Sequence, residues 1–188
     1  MNTASTIKKI TTTFCTGLLG LSFLLPLTNV NADPISAELQ AKVEKYKLKL
    51  VEWAANPTII AAAKEANEKG AMAGMNNAKW DDLKDDSPEF LGLKTSAAGQ
   101  MLLKWEEDKA ISKLYARDFK GNIVAASSKP LLFNNASRPP FVNAIKGEPF
   151  SAKEAKPDPT TSVMSVQISV PIMDGSKVIG ILHSSVNQ

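Results

Sequence analysis

The sequence contains one cysteine, Cys15, and one histidine, His183. Cys15 lies in an N-terminal segment that we expect to be removed from the mature protein. The remaining domain is therefore predicted to form neither a disulfide bond nor a thiolate–metal bond. A lone histidine without cysteine argues against a structural zinc site. We expect the fold to depend on its hydrophobic core alone.

The motifs of common enzymes are also missing. A single histidine without a placed acid gives no Ser-His-Asp signature, and the sequence has no phosphate-binding glycine loop and no dinucleotide fingerprint. The acidic cluster Asp81, Asp82, Asp85 and Asp86 lacks the spacing and the closing glutamate of a calcium loop. We therefore predict no catalysis, no cofactor and no metal.

The excess of positive charge outside the N-terminal segment is small. The chain has 22 Lys and Arg against 19 Asp and Glu. Removing Lys8 and Lys9 with the first 32 residues leaves 20 basic residues against 19 acidic ones. No basic block or basic–aromatic stripe remains, so the sequence predicts no nucleic-acid binding.

The first 32 residues have the pattern of a signal peptide. Lys8 and Lys9 precede an apolar stretch, Phe14–Leu27, which is shorter than a membrane span. Val30-Asn31-Ala32 supplies the small residues of a cleavage site, so we expect cleavage after Ala32. An uncleaved anchor is the alternative; lipidation at Cys15 is disfavoured because Phe14 precedes it. Residues 33–188 then form one periplasmic or secreted domain.

The first half of this domain is predicted to be helical. Apolar residues recur at steps of three and four over 34–56, which indicates an amphipathic helix. Asn56-Pro57 interrupts it, because asparagine caps helices and proline suits their first turn. A second helix is predicted to end near Gly70, with further helices at 76–83 and 96–108.

The second half is predicted to be a sheet. Residues 161–172 show the clearest alternation, since Val166, Ile168 and Val170 are separated by Gln167 and Ser169. Asp118 to Asn122 and Asp174-Gly175-Ser176 are typical of hairpin turns. The predicted strands are Ile111–Asp118, Ile123–Ser128, Phe150–Lys156, Thr161–Ile172 and Lys177–Val186.

Helices followed by about five hairpin-connected strands predict an α+β fold. The long N-terminal helix is expected to pack on one face of an antiparallel sheet. Together, several features resemble the Cache domains, the PAS-like extracellular sensor domains of bacterial chemoreceptors and histidine kinases. These features are the helix broken at Asn56-Pro57, the strand ending Tyr115-Ala116-Arg117-Asp118, the turn to Gly121, and the final Ser169–Ile172 and Val178–Leu182.

The resemblance implies a ligand site after the second strand. In the amino-acid-binding members, an aromatic residue is followed by an arginine that helps hold the ligand carboxylate, then by a Trp-Tyr pair and an alanine. Here Phe133 and Arg138 match the first two positions, Pro140 and Phe141 replace the pair, and Ala144 matches the last. The resemblance therefore implies Arg138 as a carboxylate anchor, with Phe133 and Phe141 as walls.

The same pattern places an aspartate on the last strand, where it binds the ligand's ammonium group. Ser185 occupies that position and has no charge, and a buried ammonium without a counter-charge is unfavourable. Asp158 is the alternative carboxylate. We therefore predict a small organic acid rather than an α-amino acid, with an amino-acid or amine ligand as the alternative.

Other predicted site residues lie on strands. Ser165, Gln167 and Ser169 share one strand face, which is either solvated or the floor of a pocket. His183, on the same face as Ser185, is either structural or a ligand donor. Tyr115 is predicted to direct its hydroxyl into the pocket.

The site residues also have simpler interpretations. Arg138 could be a surface arginine paired with Glu148 or Asp158, and Phe133 and Phe141 could be core residues. The competing predictions for the chain are a PAS-like structural protein without a ligand and an enzyme subunit.

We predict a periplasmic sensor domain that binds a small organic acid. We expect the domain either to pass its ligand state to a separate membrane receptor or only to bind and buffer the solute. A homodimer through the N-terminal helix is also predicted.

Overall fold

The computed structural model describes residues 35–70 and 72–188. The predicted signal peptide, residues 1–32, lies outside the described residues. In the part of the chain that is described, no helix is both long enough and apolar enough to cross a membrane.

Two helices separated at Asn56 begin the described chain. Helix α1 (Ala37–Ala54) is capped by Ser36, and α2 (Pro57–Lys69) is capped by Asn56, whose side chain accepts a hydrogen bond from the Thr58 amide at 2.9 Å. Pro57 has no amide hydrogen, but the amides of the first helical turn have no partner within the helix, so proline is tolerated there. The predicted break at Asn56-Pro57 is confirmed.

Three shorter helices follow: α3 (Asn77–Asp81), α4 (Pro88–Thr95) and α5 (Ala97–Trp105). Helix α4 was not predicted from the sequence. Pro88 begins this helix, at the position that tolerates proline best. Helix α5 ends before the predicted residue 108, where the Asp108 side chain accepts the Ala110 amide and forms a turn.

The second half of the chain forms one antiparallel sheet. Its strands are β1 (Ile111–Asp118), β2 (Ile123–Ala126), β3 (Phe150–Ser151), β4 (Lys156–Pro157), β5 (Met164–Asp174) and β6 (Lys177–Asn187), and the strand order is β2-β1-β6-β5-β3, with β4 also paired to β5. A short helix, α6 (Pro139–Ala144), lies between β2 and β3.

Two strand predictions needed correction. The predicted strand Phe150–Lys156 is two separate pairs of residues, β3 and β4, each bonded to β5. The strand predicted from Thr161 begins only at Met164. Asp158 accepts hydrogen bonds from Thr160 and Thr161, and Ser162 has φ +59°, so this segment is a capped turn rather than extended chain.

The two faces of β5 have different roles. Val166, Ile168, Val170 and Ile172 are fully buried against the helices, where they join Leu39, Val43 and Leu50 of α1 in the main core. The intervening residues face the other side of the sheet. The α+β fold, with the long helix packed on one face of an antiparallel sheet, is confirmed.

Candidate ligand-binding site

A cavity of about 550 Å³ lies over the sheet face opposite α1 and beside α6. Ser165 and Gln167 of β5 and Ser185 of β6 contribute its sheet side, and Gln167 pairs directly with Ser185 in the strand register. These residues alternate with core residues, so the period of two that buries Val166 also directs the polar side chains to the cavity. The volume lies in the range of small-molecule sites.

The remaining walls come from the chain between α6 and β5. Pro139 and Pro140 begin α6, Phe150 lies on β3, and Pro157 and Pro159 flank Asp158. Three of the lining residues are charged besides Asp158. They are Lys153, Glu154 and Lys156.

Asp158 is the most heavily bonded of the predicted site residues. One carboxylate oxygen forms an ion pair with Lys113 at 2.5 Å, and the other accepts hydrogen bonds from Thr160 and Thr161. Partial burial acts to raise the pKa of Asp158, but the bonds from Lys113 and the threonines outweigh it and hold the pKa well below its usual range. The structure therefore brings Asp158 to the cavity as a charged group that is already paired.

His183 lies next to Tyr115 in the sheet, two residues before the cavity residue Ser185. The two rings stack with centroids 6.1 Å apart and an interplanar angle of 14°. His183 is only 7% exposed, and its Nδ1 has no hydrogen-bond partner. Burial, followed by the positive charges of Arg117 and Lys113, lowers the pKa of His183 to about 3, so the ring is neutral near pH 7.

Tyr115 and Ser169 are buried beside this histidine. The Tyr115 hydroxyl lies 3.3 Å from the Ser128 hydroxyl, and burial raises the pKa of Tyr115 to about 12. The Ser169 hydroxyl donates to the Pro140 carbonyl at 2.6 Å and so ties α6 to the sheet. None of Tyr115, Ser169 and His183 lines the cavity.

Arg138 does not face inward. Arg138 is exposed at the N-terminal end of α6, and its side chain forms no ion pair with Glu148 or Asp158. The prolines that follow it, Pro139 and Pro140, line the cavity, but Arg138 does not. Arg138 is the N-cap residue of α6, directly before Pro139, and it is exposed.

Phe133 and Phe141 do not line the cavity either. Phe133 packs with its ring centroid 5.7 Å from that of Trp80, in a second apolar cluster. Phe141 packs against Ala144 and Ile181 in a third. Of the predicted ligand-binding residues, the structure brings only Asp158 and Ser185 to the cavity.

Sequence reasoning missed the structural role of Arg117. Arg117 is 2% exposed, and its guanidinium donates to the carbonyls of Gly121, Leu132 and Phe133 at 2.8–3.0 Å. These bonds secure the segment that leads from β2 towards α6. The sequence did contain one indication that Arg117 is buried. Arg117 lies on the same strand face as Tyr115, and the following loop covers that face.

No protein-family model matches the sequence, and no curated protein matches it. Solved structures do match. The sensor domain of the V. cholerae histidine kinase DctB is 18% identical, with a TM-score of 0.42 over 80% of this chain and 57% of that one. The sensory domain of the Campylobacter jejuni chemoreceptor Tlp3 with isoleucine bound is 13% identical, with a TM-score of 0.42 over 81% and 64%.

The ligand-binding domain of the Pseudomonas aeruginosa PAO1 chemoreceptor PctC in complex with GABA is 12% identical, with a TM-score of 0.46 over 80% of this chain and 55% of that one. The chain thus spans between 55% and 64% of the length of these three structures. All three are sensory or ligand-binding domains of a histidine kinase or a chemoreceptor.

Proposed function

We propose that this chain is a non-enzymatic sensor domain that binds a small organic carboxylate in the cavity between β5, β6 and the segment 139–159. The observation that supports this is the cavity itself. It combines apolar walls with polar groups from the sheet and charged side chains from residues 153–158, and polar groups within apolar walls are usual in small-molecule sites.

The charges around the cavity favour an anion. Glu154 is paired with Lys156 at 3.2 Å, and Asp158 is paired with Lys113. Lys153 lines the cavity and forms no ion pair within the described residues. A carboxylate entering the cavity would therefore meet one positive charge that no residue already neutralises.

We retain Arg138 in this proposal as a residue of the cavity's rim. The sequence has two arginines, and Arg117 already bonds three backbone carbonyls. Arg138 immediately precedes two cavity-lining prolines and is free to reorient, because it is exposed and unpaired within the described residues. A guanidinium binds a carboxylate through two parallel hydrogen bonds.

The proposal includes location and partners. We propose that the domain acts outside the cytoplasm and passes its ligand state to a separate membrane receptor. We also propose a homodimer through α1, on whose surface Leu48 is 67% exposed and Val51 is 42% exposed.

The cavity can be tested by filling it. Gln167 is exposed and lines the cavity, so Gln167→Trp should block it without disturbing the core. Gln40→Trp, at an exposed position of α1, is the matched control. Acetate, propionate and succinate are screened by thermal shift. We expect at least one of them to raise the melting temperature of the unaltered protein and of the control, but not that of Gln167→Trp.

Arg138→Ala tests the anchor separately. We expect the affinity for the carboxylate found in that screen to fall at least tenfold by calorimetric titration. Unchanged affinity would remove Arg138 from the site but leave the cavity in place. If no carboxylate shifts the melting temperature, the domain does not bind such acids and the ligand-free alternative is favoured.

A further inference from the structure

A largely buried ion pair joins Asp158, at the cavity wall, to Lys113. The Lys113 ammonium lies 2.5 Å from one Asp158 carboxylate oxygen and donates to the Thr160 hydroxyl at 2.7 Å. The two charged side chains are only 14% and 10% exposed. Little water is therefore present to screen this pair.

The other oxygen of Asp158 is fully used as well. It accepts hydrogen bonds from the amides and hydroxyls of Thr160 and Thr161 at 2.8–3.2 Å. The first oxygen is held by the Lys113 ammonium, whose full positive charge lies directly beside it. An ammonium group that approached Asp158 from the cavity would meet this like charge, and the Asp158 charge would already be neutralised.

The backbone at Lys113 indicates that this placement is specific. Its φ is +59°, a left-handed conformation that residues other than glycine seldom adopt. The β1–β6 register shifts between Ser112 and Tyr115, and the Lys113 amide donates to the Glu106 carboxylate at 2.8 Å instead of to a strand. Such a bulge redirects one side chain out of the regular alternation.

We propose that Lys113 is the residue that determines the charge class of the ligand. Because Lys113 neutralises Asp158 within the protein, the cavity does not attract amines and can bind carboxylates. Without it, Asp158 would be a buried carboxylate at the cavity wall that attracts an ammonium group. This inference rests on the proposed function, since it concerns the ligand of the same cavity.

A simpler role for the pair is to hold the 158–163 turn against β1. That role predicts that loss of Lys113 lowers stability, or weakens every ligand equally. The charge-class role predicts something different, namely that the preference between two ligands of the same size and opposite charge reverses.

The variant Lys113→Met removes the charge and keeps most of the aliphatic length. Propionate and propylamine are suitable probes, because they are similar in size and opposite in charge at pH 7. Binding to each is measured at matched ionic strength from the amide chemical shifts of Ser165, Gln167 and Ser185, which line the cavity. We expect the ratio of propylamine to propionate affinity to rise at least tenfold in Lys113→Met.

Two further variants make the result specific. Lys113→Met combined with Asp158→Asn removes both charges, and we expect the gain in propylamine binding to disappear. Lys47→Met breaks an exposed ion pair with Glu44, 2.7 Å long and on α1, and should leave both affinities unchanged.

The outcomes separate this inference from the proposed function. If the unaltered protein binds propionate and Lys113→Met leaves the affinity ratio unchanged, the charge-class role is wrong while the proposed function stands. If propylamine binds Lys113→Met although the unaltered protein binds neither probe, Lys113 masks Asp158 and propionate is not a ligand. If neither protein binds either probe, the charge-class role is overturned, while the carboxylate screen decides the proposed function.

Discussion

Lowering the pH from 7 to 5 should destabilise this protein, because its single histidine is buried in the neutral form. His183 is 7% exposed, and burial together with Arg117 and Lys113 lowers its pKa to about 3. In the unfolded chain the pKa of histidine is about 6.5. Below pH 6.5 the unfolded state therefore binds a proton that the folded state excludes, and stability falls as the pH falls towards 3.

The size of the effect follows from the two pKa values. Each pH unit between them contributes at most about 1.4 kcal/mol, so the free energy of unfolding should decrease by about 2 kcal/mol between pH 7 and pH 5. The carboxylates with lowered pKa values, such as Asp158 and Asp108, contribute mainly below pH 5, because their unfolded pKa values lie near 4. The interval from pH 7 to 5 thus isolates the histidine.

Urea unfolding at pH 7, 6 and 5 measures this loss directly. The variant His183→Gln cannot titrate, and its free energy of unfolding should be nearly constant over the same interval. The ring can also be followed by NMR without any substitution, since no other histidine is present. A ring that titrates with a midpoint near 6.5, or equal stability of the unaltered protein at pH 7 and 5, would refute the reasoning.

Two further predictions concern the sheet and the loop that follows it. A Cβ added at Gly180 would lie 2.1 Å from the Arg117 carbonyl oxygen, so Gly180→Ala should strongly destabilise the protein. A Cβ added at Gly92 meets nothing within 4 Å, so Gly92→Ala should stabilise helix α4 by about 0.5–1 kcal/mol. Arg117→Met should lower the free energy of unfolding by more than about 2 kcal/mol, because three backbone carbonyls lose a charged donor. Arg138→Met should change the free energy of unfolding by less than about 0.5 kcal/mol, because Arg138 is exposed. Urea unfolding measures all four variants; equal effects within either pair would contradict the structural assignment.

The sequence alone was enough to predict the main elements of the fold. The alternation of Val166, Ile168 and Val170 with Ser165, Gln167 and Ser169 determines a strand with one apolar and one polar face, because side chains of a strand point alternately to its two sides. The break at Asn56-Pro57 could also be predicted from the local sequence, since the asparagine cap and the fixed φ of proline both act within one helical turn.

Local pattern was misleading where a distant side chain completes a turn. Residues 161–163 continue the alternation of β5, yet they belong to the turn that Asp158 caps and Lys113 anchors from 45 positions away in the sequence. Prolines were also ambiguous, because Pro88 and Pro139 begin helices that a purely sequential interpretation treats as loops.

The tertiary structure decided which charged groups are buried, and therefore what the site contains. Arg117 and Arg138 cannot be ranked by the sequence, yet one is enclosed by the loop that it holds and the other is exposed beside α6. Whether a charge is buried depends on partners brought from elsewhere in the chain, since only a close counter-charge or a set of hydrogen bonds compensates the loss of water. A period of two or of 3.6 residues carries no information about such partners, so the polar face of the sheet was predictable and the pairing of Asp158 was not.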